Sequence, residues 1–213
     1  KIIKEISGRK AGILRIGTNA HRFTPERNGD AKKLDYVFTG SQWSEELREI
    51  ATMLPLAGEG FSGEVYGEGW EEVEGMKDLS KGSMDYQNMP ELYRKARLCI
   101  DDANSQTKAA GSINSRVFDA IAAGCLPVTN GVIGVGEIFD DRIPTYHTPH
   151  ELRQIIQEYC SSDVKLEQVI SALRAEVLAK HTYDQRADEL INHLSPWFIP
   201  KHRIAVVSST GED

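Results

Sequence analysis

Positive charge is what this 213-residue chain is short of: Lys and Arg number 25 against 32 Asp and Glu, for a formal net charge of −7. That balance argues against a nucleic-acid partner, whose backbone phosphates call for a basic face. Cysteine is also scarce. Cys99, Cys125 and Cys160 are odd in number and widely spaced, which fits neither a disulfide framework nor a metal-ligand set. Cys99 and Cys125 sit beside apolar runs and read as small buried hydrophobes of a reducing compartment, so a cytoplasmic location is expected. The six His residues do not cluster with them. No apolar run approaches the roughly 20 residues that cross a bilayer, and no signal peptide is visible. Lys1 in the place of an initiator Met suggests a fragment of a longer chain.

What is present is enough apolar sequence, 40% of residues, for one well-filled domain. Strand and helix signals alternate along it. Asp35 to Ser41 is a short apolar run ending in Gly-Ser, followed by an amphipathic segment with Trp43, Leu47, Ile50 and Leu54. Gly63 to Gly67 and Arg97 to Asp101 read as further strands, and Pro90 opens a helix between them. Leu126 to Gly131 forms the next buried strand. Thr148 and Glu151 make a capping box for a helix, and two more helices follow at about Asp163 to Lys180 and Tyr183 to Leu194. This alternation predicts a doubly wound, Rossmann-like α/β domain: a parallel sheet of about six strands with helices on both faces. Residues 1–30 read as a linker segment, 31–195 as the domain, and 196–213 as a tail or the start of a truncated element. In that tail, Ile204 to Ser209 has strand character.

The stretch Gly111 to Gly124, GSINSRVFDAIAAG, carries the chemistry. A polar loop runs directly into a helix whose apolar residues Val117, Phe118, Ile121 and Ala122 fall at helical spacing. Ser112, Asn114 and Ser115 crowd the helix start and Arg116 occupies its first turn. A helix start presents unpaired N–H groups and partial positive charge, which suits phosphate, and a guanidinium suits it too. Asp119 lies one turn further on, within reach of a ribose hydroxyl. The same residues also serve as ordinary caps and packing positions. Asp101 and Asp102 read as a loop cap or Asx-turn, and Lys108 as a solvated loop charge. The run GVIGVG after the late strand is not a dinucleotide fingerprint. Trp43 and Trp70 fit either core or rim.

In order and spacing, these segments resemble the nucleotide-sugar-binding half of GT-B glycosyltransferases, specifically bacterial group 1 transferases of the spore-maturation-protein type. The pieces are IGTNAHRF, DYVFTGS, GEVYGEGW, MPELYRKARLCIDDAN, GSINSRVFDAIAAGCLPVTNGVIGVGEIF and HTYDQRADEL, spanning roughly residues 12–195. The resemblance implies a domain that holds the diphosphate and ribose of a nucleotide-sugar donor such as a UDP-sugar, in polysaccharide biosynthesis. It implies no metal, because helix ends and basic side chains hold the diphosphate. The acceptor would come from a partner half outside this chain. The implied donor-binding residues are Gly40 and Ser41 at the first-strand turn, and Ser112, Asn114, Ser115 and Arg116 at the phosphates. Asp119 is implied at the ribose, and Gly134, Gly136 and Glu137 in the loop beside the donor sugar.

One departure matters. Many retaining relatives carry paired Glu residues eight positions apart; here those positions hold Gly111 and Asp119, so no retaining mechanism and no catalytic residue is carried over. A nucleotide-sugar epimerase of the same architecture, or a module that only binds nucleotide, are the alternative functions.

Overall fold

The computed structural model describes Gly8 and residues 12–25, 32–104 and 108–198. The chain divides into two compact units, Ile16–Tyr183 and a second made of Lys1–Arg15 with Asp184–Asp213. The larger unit carries the sheet.

Four strands form that sheet: β1 (Leu34–Thr39), β2 (Gly63–Tyr66), β3 (Ala96–Asp101) and β4 (Leu126–Thr129), all parallel, in the order β2-β1-β3-β4. The central register runs Val37↔Cys99 and Cys99↔Pro127. Successive residues of β1, β3 and β4 are buried, so both faces of the sheet are covered, as helical crossovers require. Pro127 has no N–H to give and sits in a strand with a ladder partner on one side only. About six strands were expected. Among the described residues the two outer ones are reduced to single parallel bridges, Val65↔Ser80 beyond β2 and Thr129↔Thr145 beyond β4. Charged sequence broken by Gly82 beside one bridge and by Pro144 beside the other leaves too little apolar sequence there for a longer ladder.

The helices are α1 (Ile50–Ala57), α2 (Met89–Lys95), α3 (Ser115–Ala122), α4 (Val132–Phe139), α5 (Pro149–Cys160), α6 (Asp163–Lys180) and α7 (Tyr183–Phe198). α1 packs on α5, and α3 on α6. α5 starts on the anticipated capping box, with Glu151 N–H donating to Thr148 Oγ1 at 3.2 Å and Thr148 N–H to Glu151 Oε2 at 3.2 Å. Such reciprocal bonds satisfy two donors that a helix start leaves over.

Two expectations are corrected. Only the second half of the amphipathic segment is helical, because the Gln42 side chain ties the first half into bends. Its Nε2 donates to the carbonyls of Ser44 (2.7 Å) and Glu46 (2.9 Å), and its Oε1 accepts from Arg48 N–H at 3.1 Å. Gly134, Gly136 and Glu137 are not in a loop but in α4, which begins directly after Gly131. The apolar run Val132–Phe139 has a buried face to pack, and Asp140 ends it in a left-handed turn. Ile204 to Ser209 lie outside the described residues.

The core unit extends into the leading segment. Phe23 is fully buried against Tyr86 and Tyr93. Thr18 bridges to Thr182, with Thr18 N–H on the His181 carbonyl at 3.0 Å. Trp70 is core, its ring edge-on to Phe38, whereas Trp43 is 78% exposed.

Candidate functional site

The two strands following β1 in the chain lie on opposite sides of it, so β1 and β3 flank the point where strand order reverses. Their carboxyl ends part there and leave a crevice. A cavity of about 770 Å³ opens at this place, walled by the loop after β1 (Gly40, Ser41, Trp43, Glu46, Arg48), by Asp102 to Asn104 and by Ser112 to Arg116.

Two arginines form its floor. The Arg48 guanidinium comes from the β1 loop and the Arg116 guanidinium from the first turn of α3; both lie over the ring of buried Phe38, at 5.2 and 5.7 Å. A cation over an aromatic face is attracted to it. Gly40 makes room: a Cβ there would stand 3.0 Å from Arg48 Nη1 and 3.2 Å from Arg116 Nη2.

Each arginine has its own aspartate at the end of β3. Arg48 donates Nε to Asp102 Oδ2 (3.0 Å), Nη2 to the Asp102 carbonyl (2.7 Å) and Nη1 to the Ser41 carbonyl (3.3 Å). Arg116 donates Nη1 to Asp101 Oδ1 at 3.1 Å. The carboxylates are braced from β4: Thr129 Oγ1 donates to Asp101 Oδ2 at 2.7 Å, and Asn130 Nδ2 to Asp102 Oδ1 at 2.7 Å.

The two arginines therefore differ. A guanidinium has five N–H groups; Arg48 commits three and Arg116 only one. The Arg116 side chain is 13% exposed and lines the cavity. Burial pulls the Arg116 pKa down most strongly, but Asp101 together with Tyr93, Cys99 and Asp102 more than offsets it, so the group stays above its ordinary value and cationic. Burial raises the Asp102 carboxyl above its usual range, with Arg48 pulling it partly back.

α3 brings its N-terminus to the same wall. Asn114 has an extended backbone and its Oδ1 accepts from Arg116 N–H at 3.1 Å, the geometry of a side-chain cap. Of the donor-binding residues that the resemblance implied, Gly40, Ser41, Ser112, Asn114, Ser115 and Arg116 all line this one cavity. The others do not. Gly134 packs below the wall, where a Cβ would meet the Gly111 carbonyl at 2.6 Å, and Glu137 is exposed on α4.

Asp119 was expected to face the cleft and instead is 4% exposed. Residues 16–23 cover that side of α3, and Thr18 Oγ1 donates to Asp119 Oδ1 at 2.6 Å. Burial lifts its carboxyl to about 6, against the Thr18 bond. Arg48 was missed because a lone Arg in a polar segment looks like any solvated charge; only the fold places it opposite Arg116.

A family model described as glycosyl transferase-like matches residues 45–192. The chain belongs to this family. No curated protein matches it in sequence. The glycosyltransferase domain is similar in structure to WaaG, a glycosyltransferase involved in lipopolysaccharide biosynthesis (TM-score 0.64, 15% identity, 89% of this chain and 58% of that one). It is similar to a T4 phage BGT mutant in complex with UDP-glucose (TM-score 0.60, 15% identity, 78% and 48%). It is also similar to the C-terminal domain of a glycosyl transferase group 1 family protein, LpcC, from Francisella tularensis (TM-score 0.55, 11% identity, 78% and 99%). The glycosyltransferase domain thus has the Rossmann-like fold of a GT-B half, and spans about half the length of WaaG and BGT. No helix among the described residues is long and apolar enough to cross a membrane.

Proposed function

We propose that this domain binds the diphosphate of a nucleoside diphosphate sugar on the floor formed by Gly40, Arg48, Arg116 and the start of α3. In the longer protein the sugar is passed to an acceptor held by a second half. The observation that carries this reading is Arg116: a nearly buried, charged guanidinium on the cavity wall with one N–H spent on Asp101. A phosphate oxygen is the acceptor that fits a guanidinium fork. The UDP-glucose bound to T4 phage BGT, on a related fold, supports a UDP-sugar as the first donor to try.

Chemically, the floor stabilises a leaving diphosphate. Charge builds on the β-phosphate as the glycosidic bond breaks, and donors fixed in advance lower the barrier without reorganising. The Asn114-capped helix start adds partial positive charge at the same wall. The reading needs no metal, since guanidinium and backbone donors meet the phosphates.

Titration calorimetry with UDP, GDP, ADP and TDP, each against its free nucleoside, tests it. Binding of at least one diphosphate, unchanged by EDTA, is expected, with the nucleosides much weaker. Ligand entry should also change the fluorescence of Trp43 on the cavity wall, a response that Trp43→Phe abolishes. Absence of binding by all four diphosphates at millimolar concentration overturns the assignment.

A further inference from the structure

We propose that Asp101 and Asp102 are positioning residues of this site. Each fixes one guanidinium with its unspent N–H groups toward the cavity and cancels its charge, so that a phosphate is gripped by directed hydrogen bonds rather than by net charge. The proposal rests on the diphosphate reading above.

The geometry is that of two parallel relays. Asp101 stands between Thr129 behind it and Arg116 in front; Asp102 stands between Asn130 behind it and Arg48 in front. Each carboxylate thus spends one oxygen on its brace and the other on its arginine. The Asn130 amide is itself oriented, its Oδ1 accepting from Ala103 N–H at 2.7 Å. The Tyr146 hydroxyl donates to the Asp101 carbonyl at 3.0 Å, which fixes the backbone at the strand end. Neighbouring residues of a strand end point to opposite faces. That is how two adjacent aspartates serve arginines arriving from two different elements.

Solvent does little to screen these pairs, because the two carboxylate side chains are 4% and 2% exposed. At the distance of a ligand, a buried Arg–Asp pair is close to neutral, yet its free N–H groups still donate. Among the described residues the wall adds Glu46 and Glu49 and no further cation; Lys108 pairs with Glu49 at 2.8 Å. A phosphate therefore finds directed donors in surroundings without excess positive charge. Two uncompensated guanidiniums would hold a diphosphate product tightly, and the aspartates loosen that hold while keeping the donors aimed. The chain's scarcity of positive charge is consistent with such a site.

Replacement by Asn and by Ala separates aim from charge. Asn at 101 keeps an oxygen for Arg116 and an amide from which Thr129 Oγ1 can accept. Asn at 102 keeps an oxygen for Arg48 but sets its amide against the Asn130 amide, which is itself a donor. Both remove the charge, and Ala removes both aim and charge. The probes are inorganic pyrophosphate and UDP, titrated into the 213-residue chain at low and high salt, with melting curves and the arginine Nε–H resonances of each variant. Wild-type affinity for pyrophosphate should depend only weakly on salt. Asp101→Asn should bind it several-fold tighter at low salt and with a steeper salt dependence, the Arg116 resonance remaining dispersed. Asp102→Asn should show the steeper salt dependence with the Arg48 resonance displaced, because its amide meets the donor Asn130 Nδ2. Asp101→Ala and Asp102→Ala should bind it about tenfold more weakly, the value of one charge-assisted hydrogen bond, with the partner arginine's resonance moving toward the random-coil position.

A merely structural role would move the melting temperatures and leave affinity and salt dependence of the folded protein at wild-type values. That result overturns the proposal. If pyrophosphate behaves as expected while UDP and the other diphosphates fail to bind, the nucleotide-sugar reading falls and the positioning role stands. If diphosphates bind and none of the four variants alters affinity or its salt dependence, the positioning role falls and the reading stands. If the wild-type chain binds neither probe, both fall.

Discussion

Arg116 and Asp119 lie three residues apart on the same helix, yet they live in different environments. The first turn of α3 ends at a cavity, and its arginine lines that space with one N–H spent on Asp101. The next turn is sealed. Val117 to Ala122 are all buried, and Asp119 has its carboxylate closed over by Thr18. A helix rises about 1.5 Å per residue, so about 4.5 Å separates a side chain offered to a ligand from one committed to the interior. Helical spacing treats the two residues alike; the covering segment 16–23 tells them apart.

The sealed turn should yield the largest stability effect. Phe118 is fully buried against Phe139 and His181, so Phe118→Ala should cost about 3–5 kcal/mol of stability. Denaturant melts would show it, and the fraction that stays folded should bind diphosphate as before. A loss of affinity without a loss of stability would erase the contrast between the two turns.

Next comes Arg116→Ala. Diphosphate binding should fall about tenfold or more, since a charge-assisted bond contributes roughly 1.5–3 kcal/mol. Stability should fall as well, because Asp101 is left buried and unpaired. Adding Asp101→Asn should recover much of the stability and none of the affinity. Recovery of affinity in the double variant would mean that Arg116 does not touch the ligand.

Asp119 sharpens the comparison through pH. Its folded pKa of about 6 lies above the ordinary aspartate value of 3.8, so between those values the folded state holds more protons than the unfolded one. Stability therefore declines as pH rises through about 4 to 6, and the cost of the buried charge is fully present above that range. The hydroxyls of Tyr86 and Tyr183 share this environment; burial first, and then the Asp119 charge, raise their pKa values. Asp119→Asn keeps an acceptor for Thr18. Its melting temperature should exceed wild type at pH 8 and match it near pH 4, with binding of diphosphate and nucleoside unchanged at both. Equal weakening of both ligands would put Asp119 on the ribose after all.

The smallest effect belongs to the cap. Asn114→Ala removes one side-chain bond at the start of α3 and should cost about 1 kcal/mol, measurable by denaturant melts. Diphosphate affinity should drop only modestly, because the backbone N–H groups remain.

Much of the architecture could be read from the chain because local rules produced it. The capping box at Thr148, the span Asp163–Lys180, and the strands around Val37, Val65 and Cys99 all follow from spacing and cap chemistry. The stretch from Ser112 to Arg116 stood out for the same reason: polar residues before an apolar helix mark an N-terminus wherever they occur. The bends at Gln42 were not legible, since nothing local says that a side chain will capture three backbone groups of its own loop. Trp43 and Trp70 are alike as letters and opposite in burial.

The sequence alone determined the alternation of elements, the polar helix start and the family likeness, because each depends on residues near one another in the chain. Only the tertiary structure decided that Arg48 joins Arg116 over Phe38, that Asp101 and Asp102 hold one arginine each, and that Thr18 shuts Asp119 away. Those pairings join residues up to 101 positions apart, and contacts of that range exist only once the sheet has set which strand ends share an edge.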